Sequence, residues 1–165
     1  MGVKNTFIAS SGQLGANVVN NAALGTDLAL GCSIPLLFGW PQAVTGTWAR
    51  SFDALQMHGN YIQNSTHNIG DKISMKTWLG KGTYDLNYLG MTGADAPIVT
   101  ITIDGTTIST QDTYTAGTVY NWIAGDSITV TTSGLKTFQF EITSKNAASS
   151  NYYFKITAMF IIRKT

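Results

Sequence analysis

The sequence of 165 residues predicts an all-β fold, an antiparallel β-sandwich with an irregular N-terminal arm. Three observations predict it. From about Val44 onward, apolar and polar residues alternate with period two in short runs. Gly, Asn and Asp punctuate those runs as turns. The charged helix formers that cover exposed helices are scarce, and Glu141 is the only glutamate. The length suits one domain with one core.

The arm, residues 1–41, contains small, Ala- and Gly-rich, almost uncharged stretches whose apolar residues have no regular spacing. It is too apolar for a solvated linker and too irregular to build its own core. It is expected to order against a neighbouring subunit, a shell to which it attaches, or the open edge of its own sandwich. Val18, Val19, Leu28, Leu30, Leu36, Leu37, Phe38 and Trp40 are its expected contact residues, with Trp48 as a further packing anchor beside Trp40.

The sandwich domain is assigned to residues 42–165, and its strands follow in order. Residues 72–79 place Ile73, Met75, Thr77 and Leu79 on one face and Ser74, Lys76 and Trp78 on the other. Gly80-Lys81-Gly82 turns the chain into a strand over residues 83–89, with Tyr84, Leu86 and Tyr88 sharing a face. Residues 98–108 read as a hairpin, because Asp104-Gly105 accepts the positive φ angles of a type I′ turn between β-branched runs. Strands over 118–123, 127–132 and 135–143 follow. Residues 152–162 form a long final strand, with Tyr152, Phe154, Ile156, Ala158, Phe160 and Ile162 on the expected core face.

Charge excludes some functions. Ten basic and nine acidic residues leave a formal charge of +1, too weak a field to hold a phosphate backbone, so no nucleic acid is expected. The longest apolar run, residues 34–40, is broken by Pro35 and far too short to span a bilayer, so no membrane partner is expected. Cys32 is the only cysteine, has no disulfide partner in the chain, and reads as a buried thiol. Asn64-Ser65-Thr66 matches a glycosylation sequon and the first six residues match an N-myristoylation pattern.

Catalytic chemistry needs a nucleophile with its base, paired carboxylates or a metal cluster. His58 and His67 have no Cys or carboxylate at metal-ligand spacing, and no phosphate loop, dinucleotide fingerprint or nucleophile elbow occurs. No enzyme activity, cofactor or catalytic residue is therefore expected. Asp71, Asp95, Asp104, Asp112 and Asp126 fall mostly at predicted turns, where carboxylates accept backbone hydrogen bonds. A rim calcium on Asp112 or Asp126 is the alternative use, although the main reading assigns no metal ligand. Tyr114, Tyr120 and Trp122 cluster around a Gly117 turn, where flat rings suit core packing or a subunit contact, with a sugar ligand as the functional alternative.

Several phrases also carry a resemblance over more than half of the chain: Gly70-Asp71-Lys72-Ile73, Trp78-Leu79-Gly80-Lys81-Gly82-Thr83-Tyr84-Asp85-Leu86, Ile101-Thr102-Ile103-Asp104-Gly105, Ser133-Gly134-Leu135-Lys136-Thr137 and Lys145-Asn146-Ala147-Ala148-Ser149-Ser150-Asn151-Tyr152-Tyr153. In this order the chain resembles a jelly-roll module of tailed-phage virion proteins of the head-decoration, head-fibre and tail-fibre type. The Gly82-Thr83-Tyr84 stretch and the Asp-Gly hairpin are also similar to carbohydrate-binding jelly rolls. The phage resemblance implies a non-enzymatic capsid-decoration or head-fibre protein on the outer virion surface, with other virion proteins as partners. It also implies a homotrimer, an expectation strengthened by the many strands that so few charged residues must cover. The second resemblance implies a receptor- or glycan-binding module at a fibre tip, with Tyr114, Tyr120 and Trp122 as contact rings.

Overall fold

A computed structural model describes residues 32–35, 42–53 and 59–164. They form an antiparallel jelly-roll sandwich of eleven strands: β1 (Cys32–Pro35), β2 (Gln42–Thr45), β3 (Trp48–Asp53), β4 (Gly59–Asn64), β5 (Lys72–Leu79), β6 (Gly82–Thr92), β7 (Ile98–Ile103), β8 (Thr106–Asp112), β9 (Val119–Val130), β10 (Gly134–Ser144) and β11 (Lys155–Arg163). One sheet runs β3-β4-β11-β6-β9, with β1 also paired to β11; the other runs β2-β5-β10-β7-β8. The expected arm therefore contributes one strand to the sandwich: Cys32 to Pro35 pair with Ile161 to Ala158. The eight expected contact residues of the arm, His58, the Cys32 thiol and the N-terminal acylation pattern lie outside what the structure describes. Among the described residues no helix is long and apolar enough to cross a membrane.

Period-two alternation puts one face of each sheet into a shared core. Ile73, Met75 and Leu79 of β5 and Phe138, Phe140 and Ile142 of β10 meet Leu86 and Tyr88 of β6 and Phe154, Ile156, Met159 and Ile161 of β11. Phe140 stacks on Phe154 with centroids 6.2 Å apart, and Tyr88 meets both rings edge-on at 5.6 and 6.3 Å. Fully burying each such side chain contributes about 2–3 kcal/mol. Trp48 packs its ring edge-on against Phe154 at 6.4 Å and donates Nε1–H to the Thr45 carbonyl, so it anchors its own core.

The 104–105 turn has the expected form, with φ of 49° at Asp104 and 82° at Gly105. Two strands depart from the sequence reading, both through bulges. The predicted strands 118–123 and 127–132 are one continuous strand, β9, which takes up an extra residue where Asp85 and Asn87 pair with Ser127 and Ala124. Asp126 accordingly sits within a strand rather than at a turn. In β11 the register slips between Ile156, opposite Gly90, and Ala158, opposite Leu89. The extra residue, Thr157, reverses the alternation. Phe154 and Ile156 face the core as expected, but beyond the bulge Met159 and Ile161 are buried, while Ile162 is 41 % exposed.

Candidate functional site

The outer face of the first sheet carries a cluster of rings around one cation. Ile62 and Ile156 point into the core, so their neighbours Tyr61, Gln63 and Lys155 lie on the opposite face. The pairs Lys155 with Gln63, Ile156 with Gly90, and Met91 with Tyr120 line up Gln63, Lys155, Met91 and Tyr120 across four strands. Tyr153, two residues before Lys155, extends the same face. The Lys155 ammonium lies 4.7 Å from the Tyr153 ring centroid, 4.9 Å from Tyr61 and 5.8 Å from Tyr120. Cation–π attraction of this kind is worth about 0.5–2 kcal/mol. Burial opposes the charge on Lys155, but the surrounding tyrosines outweigh it and hold its pKa above the ordinary lysine value.

The loop that presents Tyr153 is held rigidly. Asn64, fully buried, accepts from the Phe154 amide at 2.7 Å and donates to the Tyr152 carbonyl at 2.9 Å, gripping the backbone on both sides of Tyr153. The Tyr153 amide donates to the Asp95 carbonyl, and its hydroxyl donates to Gln63 Oε1. His67 meets the Tyr153 ring at 4.8 Å, and Asn151 reaches the His67 ring.

Asn64 is held in turn by Asp71, 2 % exposed, whose Oδ2 also accepts from Thr66 Oγ1 at 2.7 Å and the Asn68 amide at 3.0 Å. Gly46 lets this carboxylate approach the backbone, because a Cβ there would meet Asp71 Oδ1 at 2.2 Å and φ is +80°. The sequon reading of Asn64 is thus corrected. A buried amide engaged on both sides is closed to glycosylation.

Of the expected contact rings, Tyr120 joins the cluster. Tyr114 lies apart, half-buried in the β8–β9 connection where it bridges to Gly93, and among the described residues no ring contact links it to Tyr120. Trp122 pairs through its backbone with Leu89, and its side chain lies outside the description. Sequence reasoning passed over Tyr61, Gln63, Tyr153 and Lys155 as a site. The Tyr153-x-Lys155 spacing places both side chains on one strand face, but partners 90 or more residues away on β4 and about 35 away on β9 had no local signal.

The acidic groups serve the fold separately. Asp112 accepts from the Tyr114 amide and from Asn146 Nδ2. Asp104 accepts from the Thr137 amide and pairs with Lys136, which lowers its pKa. Lys72 pairs with Glu141 at 2.8 Å. Among the described residues no three of His, Cys, Asp and Glu come close enough to hold a metal ion.

No protein-family model matches the chain, and no curated protein matches it. Solved structures do. The chain is similar to part of a Paenibacillus xanthan lyase, at 21 % identity and TM-score 0.71, over 85 % of this chain and 14 % of the lyase. It therefore spans a small fraction of that enzyme. It is similar over nearly the whole of two smaller proteins. One is a CBM36-1 domain of a multidomain xylanase from the hindgut metagenome of Trinervitermes trinervoides, at 17 % identity and TM-score 0.60, covering 82 % of this chain and 98 % of that one. The other is a family 35 carbohydrate-binding module from Clostridium thermocellum, at 13 % identity and TM-score 0.61, covering 81 % and 98 %. At these identities the likeness establishes the jelly-roll fold.

Proposed function

We propose that this domain is a non-catalytic carbohydrate-binding module that holds sugar rings on the outer face of its first sheet. The observation that carries the proposal is the cluster itself: half-buried Tyr120 and Tyr153 flank a charged Lys155, with Tyr61 beneath them. Flat rings stack on the apolar C–H faces of pyranoses, while an ammonium donates to hydroxyl oxygens. The double grip of Asn64 fixes Tyr153 before any ligand arrives, which lowers the ordering cost of binding. The likeness in fold to carbohydrate-binding modules supports the same reading.

The test is affinity electrophoresis and calorimetry against a panel of plant-wall and microbial polysaccharides. Tyr153→Ala and Tyr120→Ala are each expected to weaken binding about fivefold, from about 1 kcal/mol of lost stacking per ring, with near-UV circular dichroism checking that each variant stays folded. Full binding by the double variant would move the site elsewhere, Tyr114 being the next ring to test.

The virion-surface setting implied by the phage resemblance is compatible with this activity, because a fibre or shell can carry a glycan-binding module. It rests on the sequence resemblance, and none of the solved structures named above is a virion protein. Homotrimer formation and particle attachment by residues 1–41 belong to that setting. Light scattering of the full chain and of a chain starting near Pro41, with co-sedimentation on particles, checks both.

A further inference from the structure

Two of the three half-buried lysines of this sandwich are matched by a carboxylate, and the third, Lys145, lies over the Tyr152 ring at 5.1 Å. Lys72 and Lys136, with side chains 24 % and 19 % exposed, pair with Glu141 at 2.8 Å and Asp104 at 3.1 Å. Lys155 is more deeply covered, at 8 % exposure, yet among the described residues no carboxylate lies within ion-pair distance of it. Burying a cation without an anion is costly. Three tyrosine faces offset that cost, but ring faces attract charge without accepting three directed hydrogen bonds. The Tyr153 hydroxyl is committed to Gln63. Donor capacity on Lys155 remains, directed to the same face as the half-buried rings of Tyr120 and Tyr153.

We propose that the cluster selects acidic glycans, with the carboxylate of a uronic acid pairing with Lys155 while its ring stacks on Tyr153 or Tyr120. This inference rests on the carbohydrate-binding reading and narrows it to a substrate class. A carboxylate supplies the missing counter-charge and two acceptor oxygens at a point where the protein has already desolvated the cation. The charge-assisted bond then forms with less further loss of water than at an exposed lysine. A neutral sugar stacks on the same rings but leaves the ammonium unmatched. The lysine is the specificity determinant and the tyrosines are the general contact.

The experiment uses the full chain and matched pairs of polysaccharides: glucuronoxylan, polygalacturonate, alginate and xanthan, each beside its carboxyl-reduced form. The expected result is that at least one acidic form binds about tenfold more tightly than its reduced counterpart, and that Lys155→Met abolishes the difference. Methionine keeps an apolar stem of similar length, and near-UV circular dichroism reports whether the tyrosine cluster survives. The wild-type protein gives an independent reading. Raising salt from about 50 to about 500 mM is expected to weaken the acidic form severalfold and leave the reduced form unchanged.

Equal binding of acidic and reduced forms, at low and high salt alike, overturns the selectivity and leaves the carbohydrate-binding reading standing. Absence of binding to every member, acidic or neutral, overturns both.

Discussion

The two faces of the first sheet use tyrosine for opposite purposes. On the inner face Tyr88 is fully buried among Phe140 and Phe154, and its hydroxyl has no hydrogen-bond partner among the described residues. On the outer face Tyr153 is half-buried, its hydroxyl is committed to Gln63, and its ring faces a cation. The inner ring serves as volume, and its polar atom is tolerated. The outer ring is placed by its polar atom and by the backbone bonds around it. Burial alone does not tell a core aromatic from a binding one; the fate of the hydroxyl and of the nearest charge does.

The largest expected effect breaks the inner face. Phe140→Ala removes a ring stacked on Phe154 and touching Tyr88, and is expected to cost about 3–5 kcal/mol in urea unfolding. A cost under about 1 kcal/mol would mean that the core lies elsewhere.

The sandwich was legible in the sequence because alternation is local. The core faces of β5 and β6, the Asp104-Gly105 hairpin and the Gly80–Gly82 turn all lie within a few residues of their own signals. The second half of β11 was misread because one inserted residue, Thr157, inverts every side chain after it, and the sequence keeps an unbroken apolar run through the bulge. The site was only partly legible. Tyr120 was singled out with neighbours from its own turn, whereas the sheet pairs it across β6 with a lysine 35 positions later and, farther over, with Tyr61 of β4. Strand order, which no local pattern encodes, assembles those groups.

A smaller effect sharpens the comparison from the outer side. Tyr153→Phe keeps the ring and deletes the hydrogen bond to Gln63, with an expected loss of about 1 kcal/mol in stability. In a double-mutant cycle with Gln63→Ala, most of that loss is expected to appear as coupling between the two residues. Additive losses would mean that Gln63 does not hold the ring in place.

The smallest effect at neutral pH belongs to the inner tyrosine. Tyr88→Phe deletes a buried hydroxyl that makes no hydrogen bond among the described residues, so stability at pH 7 is expected to hold or rise by up to about 1 kcal/mol. Alkali separates the two proteins. Burial raises the Tyr88 pKa well above its ordinary value of 10.0. Below pH 10 both folded and unfolded chains keep the proton, and this residue adds no pH dependence. Above it the unfolded chain ionises first while the folded chain does not, so wild-type stability falls by up to about 1.4 kcal/mol per pH unit from this residue. Other groups titrate equally in both proteins, so the difference between wild type and Tyr88→Phe at pH 7 and pH 11 isolates the one hydroxyl. A gap that widens by about 1 kcal/mol in favour of the variant confirms a phenol sealed in the core. A constant gap would mean that water or a partner reaches it, and the contrast between the two faces would lose its inner term.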